Sequence, residues 1–123
     1  MLLLDTSFLI ELESELAKRQ LGSARRFLEA RPTEAVGISI VSVGEFAEGF
    51  QDTRSVEAFL SPFRVLQLSR AIAYRMAAMQ ATQTQRLGEN DAWIAATALA
   101  YHASLIGREK AFARVPRLKY VSI

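Results

Sequence analysis

Four acidic residues stand at corresponding places along this chain: Asp5, Glu45, Asp91 and Glu109. Each follows a short apolar run or opens a helical pattern. No histidine, lysine or cysteine accompanies them in a comparable position. Carboxylates brought together repel one another and take up protons unless a cation joins them. With no cysteine and a single histidine in the chain, thiolate and ordinary zinc sites are excluded. The counter-charge that suits oxygen ligands is Mg²⁺ or Mn²⁺. Such an ion, held by one or two carboxylates and by substrate phosphate, activates water for phosphodiester hydrolysis.

Each acid also has a plainer reading. A carboxylate at a helix start is stabilised by unpaired amides and the helix dipole, which covers Asp5, Asp91 and Glu109. Glu45 could lie on the surface. For Asp5 the plain reading is weaker, because three leucines precede it in MLLLDTS. A continuous apolar run of that kind is a strand buried on both faces. A charge at its end sits where open α/β sheets bind ligands.

The elements that must position these acids follow in order. Thr6 or Ser7 can cap a short helix, and a longer helix is expected over Ser14–Ala30 until Arg31-Pro32-Thr33 breaks it. Val36–Ile40 is a second strand, and Ser42 can cap the helix carrying Glu45 and Glu48, with Gly49 near its end. Ser55–Leu60 is helical and Phe63–Leu68 a third strand. Ser69 opens the longest helix, which Gly88 closes, and its Met76 and Met79 belong to a core or dimer face. Asn90 caps an alanine-rich helix, Asp91–His102, whose Ile94, Ala95 and Ala98 share the face of Asp91 and turn it toward the sheet. Ser104–Gly107 is a strand, Glu109–Ala113 a short helix and Tyr120–Ile123 a last strand. Strands alternating with helices predict a three-layer α/β/α fold around a parallel sheet of four to five strands. At 123 residues the whole chain, 1–123, is expected to be one domain.

Composition is that of a folded soluble protein, with 50% hydrophobic and 23% charged residues. No apolar run approaches the roughly 20 residues needed to span a bilayer. The N-terminus lacks the basic region of a signal peptide, so cytoplasm is expected and a membrane partner is not. The net charge of +2 is small, but Arg108, Lys110, Arg114, Arg117 and Lys119 crowd the last sixteen residues. They could contact phosphate or form a solvated face; Arg108 is nearest the proposed site.

The chain resembles the PIN-domain ribonucleases, most closely the toxins of VapBC-type toxin–antitoxin modules. LLLDTSFLIEL is similar to the opening motif of that family, ISIVSVGEFAEG to its second, and ENDAWIAATALAYHASLIGREKAF to its third and fourth. The resemblance implies that Asp5, Glu45 and Asp91 bind metal, with Thr6 and Asn90 ordering the site. The fourth motif departs: the family has Thr or Ser, then a basic or polar residue, then Asp or Asn, where this chain has Gly107-Arg108-Glu109. The implied function is a Mg²⁺- or Mn²⁺-dependent endoribonuclease toxin that cuts RNA, forms a homodimer and is neutralised by a cognate antitoxin. Two alternatives are a PIN-like binding or assembly module with weak or no activity, and a housekeeping RNA-processing nuclease. A haloacid dehalogenase-type enzyme would want an acid at Ser7, and a receiver domain would want one near Val65–Leu68; neither is there.

Overall fold

A computed structural model describes residues 1–123. Five parallel strands form one sheet: β1 (Leu2–Leu4), β2 (Val36–Ser39), β3 (Arg64–Leu66), β4 (Ser104–Gly107) and β5 (Lys119–Ser122). Their order is β3-β2-β1-β4-β5. The chain therefore grows outward from β1 on one side, then returns to build the other. The crevice outside the carboxyl ends of β1 and β4 is the point where strand order reverses, where open α/β sheets place their ligands. Asp5 follows β1 directly and Gly107 ends β4.

Six α-helices and a 3₁₀ turn cover the sheet: α1 (Thr6–Ala17), α2 (Ser23–Glu29), α3 (Ile40–Ala47), α4 (Thr53–Leu60), α5 (Arg70–Ala81), α6 (Glu89–Ala100) and η1 (Lys110–Arg114). Leu2, Leu4, Ile38 and Ile106 face α1–α4, against Phe8, Phe46 and Val56. Leu3 and Leu105 face the other way, against Met79, Ile94, Ala95 and Phe112. This alternation puts the side chain after Leu4 on the α6 side. The expected face of α6 is as buried as predicted, with Ile94, Ala95 and Ala98 at 1% exposure or less.

Several element boundaries differ from expectation, for tertiary reasons. The single helix expected over Ser14–Ala30 is two. The α1 helix ends in a tight turn with Arg19 at φ 54, closed by Arg19 N–H to Leu16 and Gln20 N–H to Glu15. The Glu15 carboxylate then caps α2 across the gap, accepting from Ala24 and Arg25 N–H at 3.1 and 2.9 Å. Gly22 leaves room for that carboxylate, since a Cβ there would lie 2.4 Å from Oε2. Burial of Glu15 favours its proton, but the N–H donors of Arg25, Ala24 and Gly22 outweigh it and hold its pKa below the ordinary 4.5. Glu15→Ala should therefore destabilise the protein by about 1–3 kcal/mol, the cost of buried donors left unpaired. A lowered folded-state pKa gives stability that is complete above 4.5 and disappears as pH falls through the folded value. The gap between wild type and Glu15→Ala in urea melts should accordingly narrow in acid.

The caps also move. Asp5, not Thr6 or Ser7, caps α1; Ser39, not Ser42, caps α3; and α6 begins at Glu89 behind Gly88, so Asn90 is inside its first turn. The α5 helix stops at Ala81, well before Gly88. Its buried Gln80 pins the connecting loop by donating to the Leu87 carbonyl and accepting from the Leu87 N–H, both at 2.9 Å. That pair fixes where α6 starts, and so where Asp91 stands.

Candidate active site

Asp5 is 3% exposed, held at the switch point of the sheet. Its Oδ1 accepts from Phe8 N–H at 2.8 Å and from the Ser7 hydroxyl at 2.7 Å. Oδ2 takes no protein donor and lies against Gly107, where a Cβ would be 1.9 Å away. Gly107 has no positive φ, so its role is space and not backbone freedom. Ser7 also accepts from Arg108 N–H at 3.0 Å, tying the loop after β4 to α1. The hydroxyl expected at position 107 is absent, and Ser7 brings one to Asp5 from the other side.

Glu45 reaches the same crevice from α3. Ser42, three residues before it on that helix, is buried, with its hydroxyl 3.2 Å from Thr6 Oγ1. Thr6 Oγ1 also lies 2.5 Å from Glu45 Oε1, while Asn90 Nδ2 donates to Oε2 at 3.2 Å. Both oxygens are therefore oriented, one from α1 and one from α6. Thr6 and Asn90 order Glu45 and do not touch Asp5. Glu48, one turn on, caps the exposed end of α3.

Asp91 sits in the first turn of α6 beside Asn90. Burial, and then the charges of Glu109, Glu45 and Asp5, push its carboxyl up from 3.8 to about 6. Asp5 is likewise raised, chiefly by burial, against the opposing bonds from Ser7 and Phe8 and with Glu109 and Glu45 adding to the rise. Asp5 and Asp91 feel the charges of the other acids, yet none of the four is in an ion pair; the salt bridges of the chain engage Glu11, Glu29, Asp52 and Glu89. The side chains do not close into a group of three or more that could grip an ion as they stand. An open arrangement of hard oxygens suits Mg²⁺, which keeps several waters and takes few protein ligands.

Tyr120 is a neighbour that sequence reasoning missed. Its ring packs on Phe112 at 5.4 Å, and its hydroxyl is buried with no hydrogen-bond partner. Burial, with the charges of Asp5 and Glu109, pushes its pKa up to about 12. Ser122 offsets part of that rise without making a well-formed bond. An orphaned buried donor beside uncompensated carboxylates marks a place where water or a hydrated ion belongs. Nothing at position 120 in the sequence signals this, because a tyrosine on an edge strand is ordinary. Arg108 turns away instead, its guanidinium 3.6 Å from Glu11 and 3.3 Å from Ser23.

The family profile described as PIN domain matches residues 2–118 of the chain. The chain belongs to the PIN-domain family. No curated protein matches it in sequence. Among solved structures, the PIN fold here is similar to a toxin–antitoxin complex from Klebsiella pneumoniae at TM-score 0.77 and 31% identity, covering 98% of this chain and 96% of that one. VapBC-1 from nontypeable Haemophilus influenzae gives 0.77 and 26%, again covering 98% and 96%. VapBC2 from Rickettsia felis, bound to a promoter DNA fragment, shares the fold at 0.81 and 20% identity, covering 98% and 97%. No helix is long and apolar enough to cross a membrane.

Proposed function

We propose that this PIN-domain protein is a divalent-metal-dependent endoribonuclease toxin, with Mg²⁺ or Mn²⁺ held by Asp5, Asp91 and Glu45. The observation that carries the reading is the convergence of unpaired acids on the switch-point crevice, with Asp5 and Glu45 set by their own hydrogen bonds and Asp91 half-buried within reach of their charges. A bound divalent ion would supply a nucleophile from water and offset charge developing on the scissile phosphate. The residues do the placing. Ser7 and Phe8 N–H fix Asp5, Thr6 and Asn90 fix Glu45, and the Gln80–Leu87 pair sets the helix start that presents Asp91. Glu109 contributes field to the site and completes its fourth corner. Arg108, next to Glu109 in the chain and tied through its N–H to Ser7, is the cation proposed to contact substrate phosphate. Its exposed pair with Glu11 is of a kind worth about 0–1 kcal/mol, which a phosphodiester can displace.

An antitoxin partner, a homodimer and a cytoplasmic setting belong to the same proposal. Support comes from the similarity to toxin–antitoxin complexes and from Ile10, Leu16 and Leu21, apolar residues left exposed on and after α1. The alternative of an inactive module draws its support from the departure of Gly107-Arg108-Glu109 from the family motif. Its force is reduced by Gly107, the residue whose lack of a side chain admits the Asp5 carboxylate.

The deciding measurement follows RNA cleavage and thermal stability together as Mn²⁺ is titrated. Wild type should cut RNA only with the ion and should melt higher as it binds, by RT ln(1 + [L]/Kd). Asp5→Asn should lose both responses. Full metal-dependent cleavage by that variant would sink the assignment.

A further inference from the structure

The opposite, amino edge of the sheet carries a feature that the acidic site does not use. A cavity of about 310 Å³ opens there, where β4 and β5 begin and α6 ends. Its charged walls are Arg75, Arg117 and Lys119, with His102 beside them, and no carboxylate lines it. None of the three cations is in a salt bridge. Its floor is apolar: Ala98, Leu99, Ala103 and Leu118. Arg75 and Arg117 also line an adjoining depression of about 290 Å³. We propose that this cavity is a second binding site, which takes the phosphate of a nucleoside phosphate on Arg75, Arg117 and Lys119 and its apolar portion on the floor.

Three observations converge on that chemistry. Unpaired cations around a concavity attract a polyvalent anion, and arginine forks suit phosphate oxygens. The apolar floor would stay uncovered under an inorganic anion but would be covered by a ribose and base. The volume is at the lower end of small-ligand pockets, about 300–1,000 Å³. The backbone adds a further sign. Arg117 has φ 67 behind Pro116, in a turn closed by Leu118 N–H to Val115, and His102 has φ 51 just past α6. Glycine is the ordinary occupant of both conformations. Two of the three non-glycine residues with positive φ thus line this one cavity with nitrogen-bearing side chains. Strain held at a site is an indication of use. The basic run at the end of the sequence divides accordingly: Arg117 and Lys119 join Arg75 here, on a wall that excludes Arg108.

The test is independent of cleavage and of metal. Calorimetric titration in excess chelator leaves the acids uncompensated, so that they repel phosphate, while the amino-edge cations remain available. Adenosine 5′-monophosphate should bind, and inorganic phosphate at least about tenfold more weakly, a difference of about 1.4 kcal/mol. The double variant R75Q/R117Q should lose about tenfold or more in nucleotide affinity, whereas D5N/D91N should lose none. Arg117→Gly guards against misfolding, because it should weaken binding without lowering the melting temperature. A 5′-phosphorylated RNA hexamer distinguishes sources: binding well above the mononucleotide assigns a strand end, and equal binding assigns a free nucleotide. Absence of nucleotide binding, or binding that R75Q/R117Q leaves intact, overturns the proposal. Failure of cleavage in the metal-loaded protein would not touch it.

Discussion

Asp91→Asn should abolish RNA cleavage and, at the same time, raise the melting temperature of the metal-free protein. The two effects have one origin. Asp91 is pushed up to about 6 by burial and by Glu109, Glu45 and Asp5, so its charge opposes folding at neutral pH unless a cation is bound. Against this works the N-terminal dipole of α6, worth about 0.3–1 kcal/mol for an anion in the first turn. The raised value means that burial and the three acids win. The sign follows from proton binding. Between the ordinary 3.8 and about 6 the folded state binds more protons than the unfolded, so metal-free wild type loses stability as pH rises through that window. The asparagine variant does not titrate there. Its advantage in melting temperature should grow from pH 4 to 6 and level off above. Saturating Mn²⁺ should reverse the order, adding about 2.7 kcal/mol to wild type at a hundred times Kd and little to the variant. Cleavage should fall at least about a hundredfold, since a catalytic ion supplies several kcal/mol of transition-state stabilisation. A variant that is less stable than wild type at pH 7 in chelator would show that Asp91 serves the helix and not a cation.

Where local pattern and tertiary demand agree, the residues announce their roles. Leu2–Leu4 reads as a buried strand, and the acid that ends it has only the sheet edge to occupy. The Ile94, Ala95 and Ala98 stripe aims Asp91 correctly because an α-helix has one period and this face has one place to go. Misreadings arise where the deciding partner is far along the chain. Ser14–Ala30 is a milder case: the Glu15 carboxylate splits it by reaching nine and ten residues forward, past Gly22, to cap a second helix, a contact that helical periodicity does not report. Asn90 has the composition of a cap, but its amide is taken by Glu45, forty-five positions away. The 3₁₀ turn at Lys110–Arg114 starts one residue after the short helix expected from Glu109, which puts Glu109 at its N-cap position, where its carboxylate makes no cap bond and faces the site. Tyr120 is invisible for the same reason: only the fold buries its hydroxyl beside other residues' charges.

Gly107 is the position where resemblance to the family and the geometry of this chain disagree, and replacing it should have the second large effect. Restoring the hydroxyl of the usual motif with Gly107→Thr puts a Cβ where Asp5 Oδ2 now lies, at 1.9 Å. A long side chain could swing aside, but the Asp5 carboxylate is short, buried and clamped by Phe8 N–H and Ser7. Moving it forfeits the cap of α1, about 0.5–2 kcal/mol, in addition to about 1–3 kcal/mol for overfilling a packed interior. Their sum is a large share of the 5–15 kcal/mol that holds a domain together, so the denaturation midpoint should fall clearly. Cleavage should fall about a hundredfold as well, because a displacement near 1 Å in a positioned group has that effect. Gly107→Ala separates the causes. It adds the same Cβ with no hydroxyl, and should do nearly as much damage if space is what matters. The hydroxyl itself is not missing, since Ser7 already donates one to Asp5 while accepting from Arg108 N–H. Ser7→Ala should therefore loosen Asp5 and weaken metal-induced stabilisation even though position 107 is untouched. A Gly107→Thr protein with wild-type stability and cleavage would mean that Asp5 has another place to stand, and the site would have to be rebuilt around Glu45 and Asp91.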